Sequence, residues 1–194
     1  MAPERIATWP NALSVVRLLG IPLFLWLVLG AHQDVAAFAV LAIAGATDWL
    51  DGWLARRLNQ VTALGALLDP LVDRLYIIAT LLGLVLRALI PWWLVGLLVA
   101  RELFLLALLP ALRRRGLVAL PVTLVGKAGT FALLWGFPLL LLSGLPAPWG
   151  TGAAVLGWAF ALWGTFLYWW AGFRYLAAVR RLTAASPGGV GTLG

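Results

Sequence analysis

Six apolar runs of about twenty residues, joined by short links, constrain this chain more than any other feature, because that is the length a helix needs to cross a bilayer. They cover residues 12–30, 35–56, 63–89, 92–112, 122–143 and 149–177. With 63% of its 194 residues hydrophobic and 11% charged, the chain is too apolar to wet a soluble surface. The first, fourth and fifth runs also lack the polar stripe that a helix of a water-soluble bundle carries. The reading is an all-α, polytopic membrane protein with six transmembrane helices. One membrane domain is expected over residues 1–185, followed by a disordered tail of small residues at 186–194. The first run is longer than the apolar part of a signal peptide and is read as retained.

Charge here reports orientation. The net charge is +7, but the arginines follow the ends of the runs. Arg5, Arg56, Arg57, Arg113 to Arg115, Arg180 and Arg181 fall on one side if the runs alternate in direction, and Arg87 falls near the other boundary. The positive-inside rule then places both termini in the cytoplasm, and no nucleic-acid partner is needed to explain the charge. Trp9, Trp92, Trp93, Trp149, Trp169 and Trp170 fall near predicted ends, where an indole anchors in the headgroup layer. There is no cysteine, and the single histidine, His32, sits in a short polar link. Thiol chemistry is excluded, and a Ser/His/Asp triad is disfavoured.

Only seven acidic residues exist, and five of them, Asp48, Asp51, Asp69, Asp73 and Glu102, lie inside or at the mouth of predicted helices. Each Asp at the centre of a bilayer costs about 2.5–3.5 kcal/mol on insertion scales, so the cluster needs a cation, water or both. At about 100° per residue, Asp48 and Asp51 project about 60° apart and Asp69 and Asp73 about 40° apart, so each pair shares a helix face. The link at residues 59–62 is short, which makes the two helices antiparallel neighbours and brings both pairs to one mouth. Four carboxylates without His or Cys form a hard, all-oxygen ligand set suited to Mg²⁺, Mn²⁺ or Ca²⁺. Gly52, Ala55 and Gly65 keep the surroundings small, either for close helix packing or for the approach of a flat group to backbone. Arg56 adds a fixed charge suited to phosphate oxygens.

From Asp48 to Asp73 these residues spell D-x2-D-G-x2-A-R-x8-G-x3-D-x3-D. The pattern resembles the signature of the CDP-alcohol phosphatidyltransferases at every fixed position. At about 5% usage per residue type, eight such matches arise by chance about once in 10¹⁰ start sites. The opening Trp9-Pro10-Asn11-Ala12-Leu13-Ser14 with Arg17 resembles the start of that family's first helix. Arg101-Glu102 and Gly126-Lys127 resemble its phosphatidylglycerophosphate synthase branch, and the whole chain is similar in length and pattern to actinobacterial members, some of them assigned as cardiolipin synthases. The resemblance implies a bacterial cytoplasmic-membrane enzyme that moves the phosphatidyl group of CDP-diacylglycerol onto an alcohol and releases CMP. It implies that Asp48, Asp51, Asp69 and Asp73 hold two Mg²⁺ or Mn²⁺ ions, with Asp73 also the base for the acceptor hydroxyl. It further implies that Gly52, Ala55, Arg56 and Gly65 contact the CDP part of the donor, that the site faces the cytosol, and that the protein forms a homodimer.

The acceptor is read from the remaining cations. Lys127, the sole lysine, lies inside the fifth run, where a charge needs a reason, and an anionic acceptor supplies one. Arg101, Arg113 and Arg174 are further candidates. Glycerol 3-phosphate, giving phosphatidylglycerol phosphate, is the leading expectation, and phosphatidylglycerol, giving cardiolipin, is the alternative. A carboxylate-lined cation transporter is the alternative from another class, although it leaves the Gly, Ala and Arg positions unexplained. Ala153, Gly157 and Ala161, at four-residue spacing, are expected to pack within the chain.

Overall fold

The computed structural model describes residues 9–58, 63–113 and 123–184. The link at 59–62 and the tail at 186–194 lie outside the described residues. Six α-helices follow one another, and no strand occurs among the described residues: α1 (Trp9–Leu25), α2 (Asp34–Leu58), α3 (Ala63–Leu86), α4 (Trp92–Arg113), α5 (Leu124–Leu141) and α6 (Trp149–Ala184). Each apolar run corresponds to one helix.

Local chemistry sets the helix limits. A wide turn, closed by the Ala31 N–H on the Trp26 carbonyl at 2.9 Å, carries the chain out of α1. Asp34 opens α2, where its charge meets the positive end of the helix dipole. Thr123 caps α5 by accepting the Gly126 N–H on Oγ1 at 3.2 Å. α3 stops three residues short of the expected 89, and Ala88 there takes a left-handed backbone conformation, φ 55°. α6 runs seven residues past the expected 177, because residues such as Arg180 and Arg181 are polar yet good helix formers. Its 36 residues span about 54 Å, well beyond the thickness of a hydrocarbon core.

Among the described residues, three stretches are long and apolar enough to cross a membrane: Leu13–Gly30, Leu124–Gly144 and Trp149–Ala178. The other helices, α2, α3 and α4, carry the acidic cluster, Arg101 and Glu102. Val16, Leu19, Ile43, Ile77, Leu134 and Trp163 are each more than half exposed, an outward apolar surface that suits lipid and would drive aggregation in water.

The chain divides into two compact units, Met1–Pro91 with Phe137–Gly157, and Trp92–Gly136 with Trp158–Gly194. In the first, α1 packs on α2 and α3, and Phe24, Val28, Val72 and Leu84 are buried. Gly83 lets α3 close on the wide turn after α1, since a Cβ there would stand 3.1 Å from Val28 Cγ1. Arg87 Nη1 pairs with Asp34 Oδ1 in the same unit, tying the end of α3 to the start of α2, with both side chains largely buried. Gly157 packs on Leu140, where a Cβ would lie 2.8 Å from Cγ. In the second unit α5 and α6 meet backbone to backbone, and a Cβ on Gly136 would lie 2.9 Å from the Ala161 nitrogen. The small residues Gly157 and Ala161 therefore serve packing within the chain.

Candidate active site

Ser14 and Arg17 stand three residues apart on α1 and share a face, as do Asp69 and Asp73 on α3. Together with Asp48 of α2 they form one network centred on the arginine. Arg17 Nη1 donates to Oδ1 of Asp48 and, at 3.1 Å, to Oδ1 of Asp73, while Nη2 donates to Oδ1 of Asp69 at 3.2 Å. Ser14 Oγ donates to the same Asp69 oxygen at 2.6 Å. The Tyr76 hydroxyl donates to the Arg17 carbonyl at 2.8 Å, and a side chain on Gly20 would collide with that hydroxyl.

Burial across the network is lopsided. The Arg17 side chain is 2% exposed, whereas Asp48, Asp69 and Asp73 keep 44, 39 and 50% of theirs. The cation is a floor, and the carboxylates stand on it with open surface. Three carboxylates against one guanidinium leave an excess of negative charge, which is the condition a divalent cation satisfies. Among the described residues, no three carboxylate or imidazole groups are drawn up around a common point as ligands; these three are drawn onto Arg17 instead. Asp51 lies three residues after Asp48 on α2. The side-chain surroundings of Asp51, Gly52, Ala55, Arg56 and Gly65 lie outside the described residues.

The second unit holds its own cationic cluster. Arg101 of α4 and Lys127 of α5 line one cavity of about 410 Å³ with Gly126, Thr130, Tyr168 and Tyr175. The Arg101 side chain is 9% exposed, and its Nη1 donates to Glu102 Oε1 at 2.9 Å. Its Cζ lies 3.7 Å from the centroid of the Tyr168 ring, and its Nε is buried without a hydrogen-bond partner. The structure thus brings together two of the four expected acceptor cations. Arg174 is exposed and does not line this cavity, and the side chain of Arg113 lies outside the described residues.

Sequence reasoning passed over Arg17, Ser14 and Tyr168 as site residues. Arg17 had a signal, because a cation inside an apolar run raises the same question as Lys127. Ser14 stands with Arg17 in the opening motif, whereas Tyr168 had no signal, since a hydroxyl in such a run can be satisfied by backbone.

A model for CDP-alcohol phosphatidyltransferase matches residues 7–170. The chain belongs to the CDP-alcohol phosphatidyltransferase family. It is 53% identical over 187 residues to the CMP-forming cardiolipin synthase of Streptomyces coelicolor, covering 94% of this chain and 87% of that one. It is 44% identical, over 96% of this chain and 90% of the other, to a Mycobacterium tuberculosis protein provisionally named a cardiolipin synthase. It is 35% identical to the CDP-diacylglycerol–glycerol-3-phosphate 3-phosphatidyltransferase of Bacillus subtilis, over 71% of this chain and 78% of that one. This phosphatidyltransferase is accordingly an enzyme of phospholipid synthesis that takes a CDP-linked lipid donor and an alcohol acceptor and releases CMP. The transporter reading falls away.

Proposed function

We propose that this phosphatidyltransferase makes cardiolipin, with CDP-diacylglycerol as donor and phosphatidylglycerol as acceptor. The observation that carries this reading is the 53% identity to a cardiolipin synthase along 94% of the chain, against 35% along 71% for the glycerol 3-phosphate enzyme. Arg101-Glu102 and Lys127 taken alone favour glycerol 3-phosphate, which stands as the second reading. Both acceptors carry a hydroxyl and a phosphate, so the same cations serve either.

In this proposal Asp48, Asp51, Asp69 and Asp73 hold two Mg²⁺ or Mn²⁺ ions, for which an all-oxygen donor set with excess negative charge is suited. When bound, such ions supply charge stabilisation to the transferring phosphoryl group. Arg17 holds three of the carboxylates in position through their Oδ1 atoms. Asp73, half exposed, takes the proton of the acceptor hydroxyl as that oxygen attacks the β-phosphorus. The bond from phosphorus to the bridging oxygen breaks, and CMP leaves with its new charge near Arg56. Gly52, Ala55 and Gly65 border the CDP group. Arg101 and Lys127 receive the phosphate of the acceptor in the cavity they line. Six helices cross the cytoplasmic membrane with both termini and the site on the cytosolic side, and the enzyme works as a homodimer.

The test is purified protein in lipid vesicles with CDP-diacylglycerol and Mg²⁺ or Mn²⁺, offered phosphatidylglycerol or glycerol 3-phosphate separately, with lipid products identified by mass. Cardiolipin and CMP are expected from phosphatidylglycerol. Phosphatidylglycerol phosphate from glycerol 3-phosphate, with no cardiolipin, overturns the acceptor. CMP release that persists unchanged in excess chelator overturns the metal site.

A further inference from the structure

Two residues adjacent on a helix project about 100° apart and do not face one another, so an ion pair between Arg101 and Glu102 needs a third group to hold it. Tyr168, on α6, is that group. Its hydroxyl donates to Glu102 Oε1, the same oxygen that accepts Arg101 Nη1 at 2.9 Å. Its ring lies against the guanidinium, 3.7 Å from Cζ to the centroid, within the range of a cation–π contact. One tyrosine therefore touches both halves of the pair. The guanidinium it holds has one face covered, one nitrogen committed to Glu102 and a buried Nε without a partner. Such an arginine, already desolvated and immobilised beside the cavity of Lys127, has unmet donor capacity that a phosphate oxygen satisfies.

We propose that Tyr168 is a positioning residue for the acceptor: it fixes Arg101 so that Arg101 and Lys127 together receive the acceptor's phosphate group. The inference rests on the assignment of that cavity to the acceptor. Preorganisation is the physical basis, since a long cationic side chain held in place before binding loses less freedom when the anion arrives. The role of Tyr168 is local, because other contacts hold α6 to α4. Trp169 Nε1 donates to the Leu97 carbonyl at 3.2 Å, and Phe104 packs on Trp169 and Phe173 with ring centroids 6.0 and 6.2 Å apart.

The experiment compares wild type with Tyr168→Leu, which loses ring and hydroxyl, and Tyr168→Phe, which keeps the ring. Acceptor KM is measured in vesicles at saturating CDP-diacylglycerol, and donor KM at saturating acceptor, with inorganic phosphate as a soluble competitor of the acceptor. Tyr168→Leu is expected to raise acceptor KM about tenfold and the phosphate Ki in parallel, with donor KM and kcat within about twofold. Tyr168→Phe is expected to raise acceptor KM about threefold, and it decides the question alone if the leucine variant does not fold. Arg101→Gln and Lys127→Gln test the underlying assignment. If neither moves acceptor KM, the assignment and the inference fall together. If they raise it and the Tyr168 variants do not, only the inference falls. A Tyr168 variant that shifts donor KM or kcat as much as acceptor KM shows a purely structural residue and also overturns it.

Discussion

Replacing Arg17 by glutamine removes the floor on which three carboxylates stand. Breaking a buried ion pair by deleting one partner costs about 3–5 kcal/mol. The low end applies here, about 3 kcal/mol, because Asp48, Asp69 and Asp73 keep 39–50% exposure and water can reach them once the cation is gone. For a chain of this size each kcal/mol moves Tm by about 2–4 °C, so the metal-free variant should melt about 6–12 °C below wild type. A divalent ion at a hundredfold excess over its Kd returns about 2.7 kcal/mol, nearly the whole loss. The variant should therefore show a larger Mn²⁺-induced rise in Tm than wild type, in which the guanidinium already neutralises part of the cluster. The twelve tryptophans report melting by intrinsic fluorescence, with chelator and with Mn²⁺, and Mn²⁺ affinity is read by electron paramagnetic resonance. A loss of Tm that saturating Mn²⁺ leaves untouched, or weaker Mn²⁺ binding by Arg17→Gln than by wild type, refutes the reasoning. Arg17→Lys, which keeps the charge, should fall between the two.

Three further outcomes are expected. Asp73→Asn should lower kcat by about a thousandfold while donor KM stays within about threefold, and an equal loss of donor binding would make Asp73 chiefly a ligand. Gly136→Val should cost about 1–3 kcal/mol, read as a fall in Tm, because its side chain enters the Ala161 backbone; an unchanged Tm would show that the seam yields. Asp34→Asn should cost about 3 kcal/mol by stranding Arg87, and Asp34→Asn with Arg87→Met should recover most of it. A double variant as unstable as the single one would show that the pair contributes more than charge balance.

The helices were legible because apolar runs of membrane length are a local property, and each run became one helix. The misplaced ends have local causes too: Ala88 turns left-handed before residue 89, and the polar end of α6 stays helical where hydropathy had stopped counting. Asp48, Asp69 and Asp73 were legible as a cluster because a few acids in a sea of apolar residues need a common explanation. Their organisation around Arg17 was not, because it joins α1 to residues 31 and 56 positions further along the chain, and no periodicity carries that information. Lys127 and Arg101 were found as isolated charges, while Tyr168, which holds one of them, looks in sequence like any other aromatic of a membrane helix.

Arg17 also comes first. During synthesis α1 leaves the ribosome with its cation before Asp48, Asp69 or Asp73 exists, so each acidic helix that follows meets a counter-charge already in place. A chain halted before α2 instead displays an arginine in an apolar segment with none of its three carboxylate partners yet made.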